Sequence, residues 1–474
     1  MAQTGTLSAV GGAVVNEEPD GLARPSAMPL TARSWACLIL PAAAFLGLYG
    51  SIVTIPPTDW DTLIWMAAAE RNSPVHYMTH GVEIEVYPCY RPATHASFWL
   101  ANKTYGRNGW GYWVNALVYQ LLTLILLFFL VRRLTRSDVA AGIAAFFFAL
   151  NSQNSGVFCY LCESHQGVLP GLFFLVCVLC FLNYQDSGKM LLLIAAAVSA
   201  WVSVAAKEHG IASVAAMGLL CLWRRKVRSP LPGLVACGMV ICSYFFLRYM
   251  ALGTFTGMHP GEDMGYFEQD LIGAIPSNMP SGQRTALYLY TFGANVVGTF
   301  LPHLFGGHGE LRTKLLLAFP HEGMAKWLFS WVMLVCELVM LTFVLLAVSK
   351  RTRALLLGSA ALIVVVAATA FVEFRFRLHF VGVIAFAVMV GLAAKAYLNS
   401  GSRWQLLVGG VVLCLLLLGY VREDTWHIQS WRQIHQSMDV TKGRFVTPNI
   451  PAELTQDIHK RYPPKVVAPK SSKN

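Results

Sequence analysis

Charge is what this sequence has least of. Only 13% of its 474 residues are Asp, Glu, Lys or Arg, about half the share usual in soluble domains. The sequence also has no Walker loop, no glycine fingerprint following a strand, no H-E-x-x-H and no paired C-x-x-C at zinc spacing, so a soluble nucleotide has no evident cradle. No repeat of 20–50 residues is visible. The eleven cysteines are scattered, most of them inside apolar runs where a thiol behaves as a small hydrophobe, and they set no disulfide framework. The formal charge of +11 is spread over loops, with no basic stripe interleaved with aromatics, which argues against nucleic acid as a partner.

What is there is hydrophobic: 55% of the residues, gathered in long blocks. Lipid offers no water to satisfy backbone groups, and the blocks are too long for strands, so the class expected is all-α, a polytopic integral membrane protein. Apolar runs at about 35–55, 111–131, 139–158, 167–183, 190–206, 210–223, 231–250, 326–348, 354–372, 378–397 and 404–421 predict about eleven transmembrane helices, most near the ~20 residues that a bilayer needs. Residues 1–34 read as a disordered cytoplasmic tail, 35–421 as the membrane domain with outer loops 56–110 and 251–325, and 422–474 as an extracytoplasmic amphipathic and disordered tail.

Dense basic clusters at Arg132, Arg133 and Arg136, at Arg224, Arg225, Lys226 and Arg228, and at Lys350, Arg351 and Arg353 mark cytoplasmic loops. Alternating spans place all three inside if the stretch 286–302, which ends in Leu301-Pro302-His303, does not cross. The conspicuous polar sequence then gathers on the extracytoplasmic side.

Asp59 and Asp61 directly follow the first span. Each can cap the helix expected over 61–70 or, desolvated, serve as a general base. Tyr90-Arg91-Pro92 and His95 lie further along that loop, where a guanidinium fork suits a phosphate and also suits an interfacial aromatic belt. Glu163 and His165 occupy a short outer connection, which either needs them for a site or is simply wet. Lys207-Glu208-His209 interrupts an otherwise continuous apolar hairpin. Charges at membrane depth are costly and mark function, the bland alternative being a snorkelling lysine neutralised by its neighbour. Glu373-Phe374-Arg375-Phe376-Arg377 ends a later span. Glu373 and Arg377 are four apart and can pair on a helix, which leaves Arg375 for an anionic headgroup.

In this order the pieces resemble the GT-C superfamily of membrane glycosyltransferases, in particular the protein O-mannosyltransferases and the transmembrane O-mannosyltransferases that carry tetratricopeptide repeats. The likeness covers roughly residues 35–400. It rests on the acidic residues Asp59 and Asp61 after the first span, on Tyr90-Arg91-Pro92 followed by the helix with Asn115, on Phe147 to Asn151 leading to Glu163, on Lys207-Glu208, and on the late Glu373 to Arg377 group. The sequence departs from the family where Tyr112 and Tyr119 replace histidines, where Trp60 splits the acidic pair and where Phe374 separates Glu373 from Arg375; the tetratricopeptide repeats are absent.

The resemblance implies a polyprenyl-phosphate sugar donor, a protein or glycan acceptor, a site at the extracytoplasmic face of the membrane (the inner or plasma membrane in a bacterium) and inversion at the anomeric carbon. Asp61, or Asp59, would be the base. Arg375, Lys207, Arg91 and Arg377 would bind the donor phosphate, with Glu163, His165, Glu208, His209, His95 and Tyr90 in support. No cofactor is implied with certainty; a divalent metal on the carboxylates stays open, without a ligand spacing to support it. A transporter or lipid flippase also needs intramembrane charges, but near the bilayer midplane and in two related halves; a non-catalytic protein of the same fold is the third possibility.

The topology has a direct test. A reporter fused after Arg353 should read cytoplasmic and one after Val421 extracytoplasmic. The opposite result at both positions would part the 373–377 group from the acidic loop.

Overall fold

The computed structural model describes residues 29–55, 60–80, 90–106, 108–158, 160–223, 229–253, 289, 292–293, 296–301, 324–346, 350–369, 380–400 and 402–437. Every element among them is helical: α1 (Ala32–Tyr49), α2 (Trp60–Arg71), α3 (Pro74–His80), α4 (Pro92–Tyr105), α5 (Gly109–Thr135), α6 (Asp138–Ala149), α7 (Gln153–Phe158), α8 (Leu161–Ser187), α9 (Met190–Ala206), α10 (Ala212–Trp223), α11 (Leu231–Leu252), α12 (Met324–Leu346), α13 (Lys350–Thr369), α14 (Phe380–Ser400) and α15 (Arg403–Ser437), with short 3-10 turns at Gly50–Thr54 and Glu208–Ile211.

Over their described residues the eleven apolar stretches are helical, the third being interrupted between Ala149 and Gln153. Among the described residues six helices are long and apolar enough to cross a membrane: Ala32–Thr54, Gly109–Thr135, Leu161–Ser187, Leu231–Leu252, Phe380–Ser400 and Arg403–Gln429. The other stretches form shorter apolar helices, among them Asp138–Ala149 and Met190–Ala206. Large apolar side chains such as Ile39, Leu40, Leu191, Ile194, Leu234 and Met239 face outward, which suits a lipid surround and would be unfavourable in water. This is a helical membrane protein.

One end of the bundle is fastened around the Asp138 carboxylate. Thr31 caps α1 and forms a capping box with Ser34, whose hydroxyl donates to Asp138 Oδ2 at 2.8 Å. Arg132 Nε donates to Asp138 Oδ1 at 2.6 Å and Arg132 Nη2 to the Pro29 carbonyl at 2.8 Å. Arg133 adds the end of α8 by donating to Asn183 Oδ1 at 2.5 Å and pairing with Asp186. The start of α1, the end of α5, the start of α6 and the end of α8 therefore meet at one end, where the basic residues of the first cluster lie.

The opposite end is fastened through backbone groups. Trp113 Nε1 on α5 donates to the Ile55 carbonyl after α1 at 2.9 Å, and the Cys162 amide in the first turn of α8 donates to Thr62 Oγ1 on α2 at 2.9 Å. Thr94 on α4 donates to the Ala206 carbonyl at the end of α9 at 2.8 Å. Thus α2 and α4, from the segment treated as outer loop 56–110, cover the end where α8 begins and α9 stops.

Between the two ends, α6 packs against α1, α5 and α14 through small residues. Ala140, Ala144 and Ala145 are buried, and a Cβ on Gly391 would stand 2.6 Å from Val131 Cγ1, so close backbone approach substitutes for a hydrophobic drive that lipid cannot supply. Of 286–302, only residues 289, 292–293 and 296–301 are described: the Gly298 carbonyl accepts from Gln153 Nε2 at 2.8 Å and Phe300 lies against Phe386. Whether that stretch crosses lies outside the described residues. Residues 422–437, expected as a separate surface helix, continue α15 without a break, because no proline or glycine stands between Tyr420 and Ser437 to stop it.

Candidate functional site

The site grows from the break between α9 and α10. Lys207 leaves the helix in an extended conformation, φ −162 and ψ 151, and Glu208–Ile211 form one 3-10 turn before α10 resumes. Gly210 makes the turn possible. A Cβ there would lie 2.0 Å from the Ser203 carbonyl oxygen, so only glycine lets the turn fold back against the last turn of α9. Ser203 Oγ, 2.9 Å from the Pro170 carbonyl and 2.8 Å from Ser213 Oγ, ties α8, α9 and α10 together behind the break.

Because the helix stops at Ala206, the Lys207 side chain turns inward and donates to Glu163 Oε2 at 2.6 Å. The two side chains are 4% and 7% exposed. Glu163 and Gln166 are three apart on α8 and share a face. Gln166 Oε1 accepts from Arg91 Nη1 at 2.6 Å, and Arg91 Nη2 donates to Glu208 Oε2 at 3.0 Å. Arg91 itself precedes Pro92 at the start of α4, and its neighbour Tyr90 is buried with its hydroxyl donating to the Met78 carbonyl at 3.1 Å. Arg248 on α11 completes the group: its Nη1 lies 3.9 Å from Glu208 Oε1 and 3.5 Å from the Tyr244 hydroxyl, and the Tyr244 ring packs against Tyr90.

Arg91, Glu163, Lys207 and Glu208, chosen from separate parts of the sequence, therefore form one connected group at the α2–α4 end of the bundle. Three cations face two carboxylates and an amide in a setting where charges are normally excluded. His209 is buried in the same turn.

The two other histidines have different surroundings. His165 Nε2 donates to the Tyr112 carbonyl at 3.0 Å while Nδ1 lies 2.7 Å from Ser97 Oγ, so both ring nitrogens bind the protein itself, with Phe98 and Tyr119 packed around the ring. His95 is fully buried and stacked on Tyr77 with centroids 4.3 Å apart. Burial pushes its imidazole down to about 4, against the opposing pull of the Ala68 carbonyl, and holds it neutral at physiological pH.

Asp61 sits in the first turn of α2, one residue before Thr62, whose hydroxyl accepts the Cys162 amide beside Glu163. The start of α2 is thereby held at the start of α8, at the end of the bundle where the ionic group lies. Asp59, Arg375 and Arg377 lie outside the described residues. Among the described residues no three His, Cys, Asp or Glu side chains converge as a metal donor set.

Sequence reasoning overlooked Arg248, Tyr244 and Gln166. Arg248 had a signal, a guanidinium within an apolar run in Phe245-Phe246-Leu247-Arg248. Gln166 had none, since an amide beside His165 in a short connection looks like a turn residue.

Breaking the buried pair should be costly. Glu163→Gln removes the carboxylate charge bonded to the buried Lys207 ammonium and should destabilise by about 3–5 kcal/mol, whereas Glu163→Leu combined with Lys207→Met should recover most of that loss. Thermal unfolding in detergent measures both, and a single variant that melts with the wild type would show that the pair does not hold the break. No protein-family model matches this sequence, and no curated protein matches it either.

Proposed function

We propose that the chain is an inverting glycosyltransferase, embedded as a multi-pass protein with its site at the extracytoplasmic face, that moves a mannose-like sugar from a polyprenyl phosphate to a hydroxyl on a protein or glycan. The observation that carries this reading is the ionic group at the α9–α10 break, where Arg91 and Arg248 gather beside the buried Lys207–Glu163 pair at one end of the bundle; guanidiniums so placed suit an anionic headgroup.

In this reaction an acceptor oxygen attacks the anomeric carbon as the bond from that carbon to the phosphate oxygen breaks. The bonding pair leaves on the lipid phosphate, and a carboxylate takes the hydroxyl proton. Most of the developing charge therefore lies on the departing phosphate, which preorganised cations stabilise best. Arg91 is suited to that role, and Arg375 and Arg377 extend it from the sequence. Asp61 is the proposed base and Asp59 the alternative. The placement of the charges at one end of the bundle favours this reading over a transporter, whose charges would sit at the midplane.

Replacing Asp61 with Asn keeps the shape and capping ability of the side chain and removes the base. Transfer from a polyprenyl-phosphate sugar should fall by about 100-fold or more, while expression and melting stay near wild type. Loss in Asp59→Asn instead would exchange the two roles, and full activity in both variants would exclude either carboxylate as base.

A further inference from the structure

The two acid–base pairs at the break differ in kind. Lys207 and Glu163 are closed off at 2.6 Å, with both side chains under a tenth exposed; opening that pair would strand two charges in a medium that cannot solvate them. Glu208 is built differently. Its side chain is 38% exposed, it stands in a single 3-10 turn and not inside a helix, and it offers one oxygen to each of two guanidiniums: Oε2 to Arg91 Nη2 at 3.0 Å and Oε1 toward Arg248 Nη1 at 3.9 Å. The second distance is beyond hydrogen-bond reach. One carboxylate thus lies between two cations that reach it from different elements, the start of α4 and α11, and bonds closely with only one.

We propose that Glu208 stands in for a phosphate group, filling the position between Arg91 and Arg248 until a phosphate displaces it. This rests on the reading above that the ligand is a lipid-linked phosphate, and it divides the group into a fixed half, Lys207 with Glu163, and an exchangeable half, Arg91 with Glu208 and Arg248. A phosphate has more oxygens and more negative charge than a carboxylate, and it spans two guanidinium forks where the carboxylate bonds with one. The cations do not need Glu208 to hold their positions: Arg91 Nη1 is bonded to Gln166 at 2.6 Å and Arg248 Nη1 lies 3.5 Å from Tyr244 OH. The carboxylate, already partly exposed, leaves toward solvent while its turn stays pinned by Gly210 against α9.

The test is direct binding by the full chain in detergent, with three probes: a short-chain polyprenyl monophosphate without sugar, inorganic phosphate, and the matching polyprenol. Removing the internal competitor in Glu208→Gln should tighten binding of the lipid phosphate roughly three- to tenfold, and Arg248→Gln should weaken it by a similar factor. Binding of the polyprenol should not respond to either change. Tightening shared by inorganic phosphate assigns the position to any phosphate group; tightening confined to the lipid assigns it to a headgroup at the membrane surface, and either supports the exchange. If Glu208→Gln does not fold, Glu208→Asp, which draws the carboxylate back by one methylene, should show the same sign. Unchanged or weaker binding in a folded Glu208 variant overturns the proposal, as does the absence of phosphate binding in every variant. Since no sugar is transferred in this measurement, a chain that shows the exchange but moves no sugar would refute the glycosyltransferase and leave the phosphate position standing.

Discussion

Burying Lys207 against Glu163 fixes where α9 must stop. A lysine continuing the helix would point its ammonium along the α9 surface; leaving the helix in an extended conformation sends it inward to a carboxylate on α8 at 2.6 Å. That choice obliges the next residues to turn sharply, which Gly210 alone among them can do at the required contact with Ser203. It also exposes the Ala206 carbonyl, which Thr94 on α4 then satisfies. One ion pair thereby determines the break, the glycine that permits it and the docking of α4 that covers it.

Docking of α4 has a consequence for Arg91, the residue just before it. With Pro92 at the first helical position, the backbone of Arg91 is outside the helix and its side chain reaches back to Gln166 and Glu208. The Thr62 contact with the Cys162 amide holds α2, and with it the backbone of Asp61, at the same end. At the far end, Asp138 gathers Ser34 and Arg132. The bundle is therefore polar at two ends for different reasons: ion pairs clasp helix termini at one, and at the other a buried charge pair opens a helix beside two further arginines.

The class of this fold was legible because lipid imposes a simple rule on long apolar runs, and every element among the described residues is helical. The Lys207-Glu208-His209-Gly210 interruption was legible for the same reason, since charge within an apolar hairpin is costly enough to need a cause. Partners were not legible. Nothing in spacing says that Lys207 selects Glu163 and that Arg91 selects Glu208, pairs 44 and 117 residues apart. His165 was singled out for its chemistry, yet its ring spends both nitrogens on Tyr112 and Ser97; a histidine's use depends on neighbours that sequence does not order. Arg248 went unremarked because a single guanidinium near the end of a span is also what snorkelling produces.

The account stands or falls on whether a lipid phosphate is the leaving group at this site. Purified chain reconstituted in vesicles, supplied on the outer face with polyprenyl-phosphate sugars or with sugar nucleotides and a hydroxyl acceptor, decides it. The account predicts glycosylated acceptor with inverted anomeric configuration and free polyprenyl phosphate in equal amount, from the lipid-linked donor alone. Transfer from the sugar nucleotide, or retention of configuration, would contradict it, as would a folded protein that transfers none of the lipid-linked sugars.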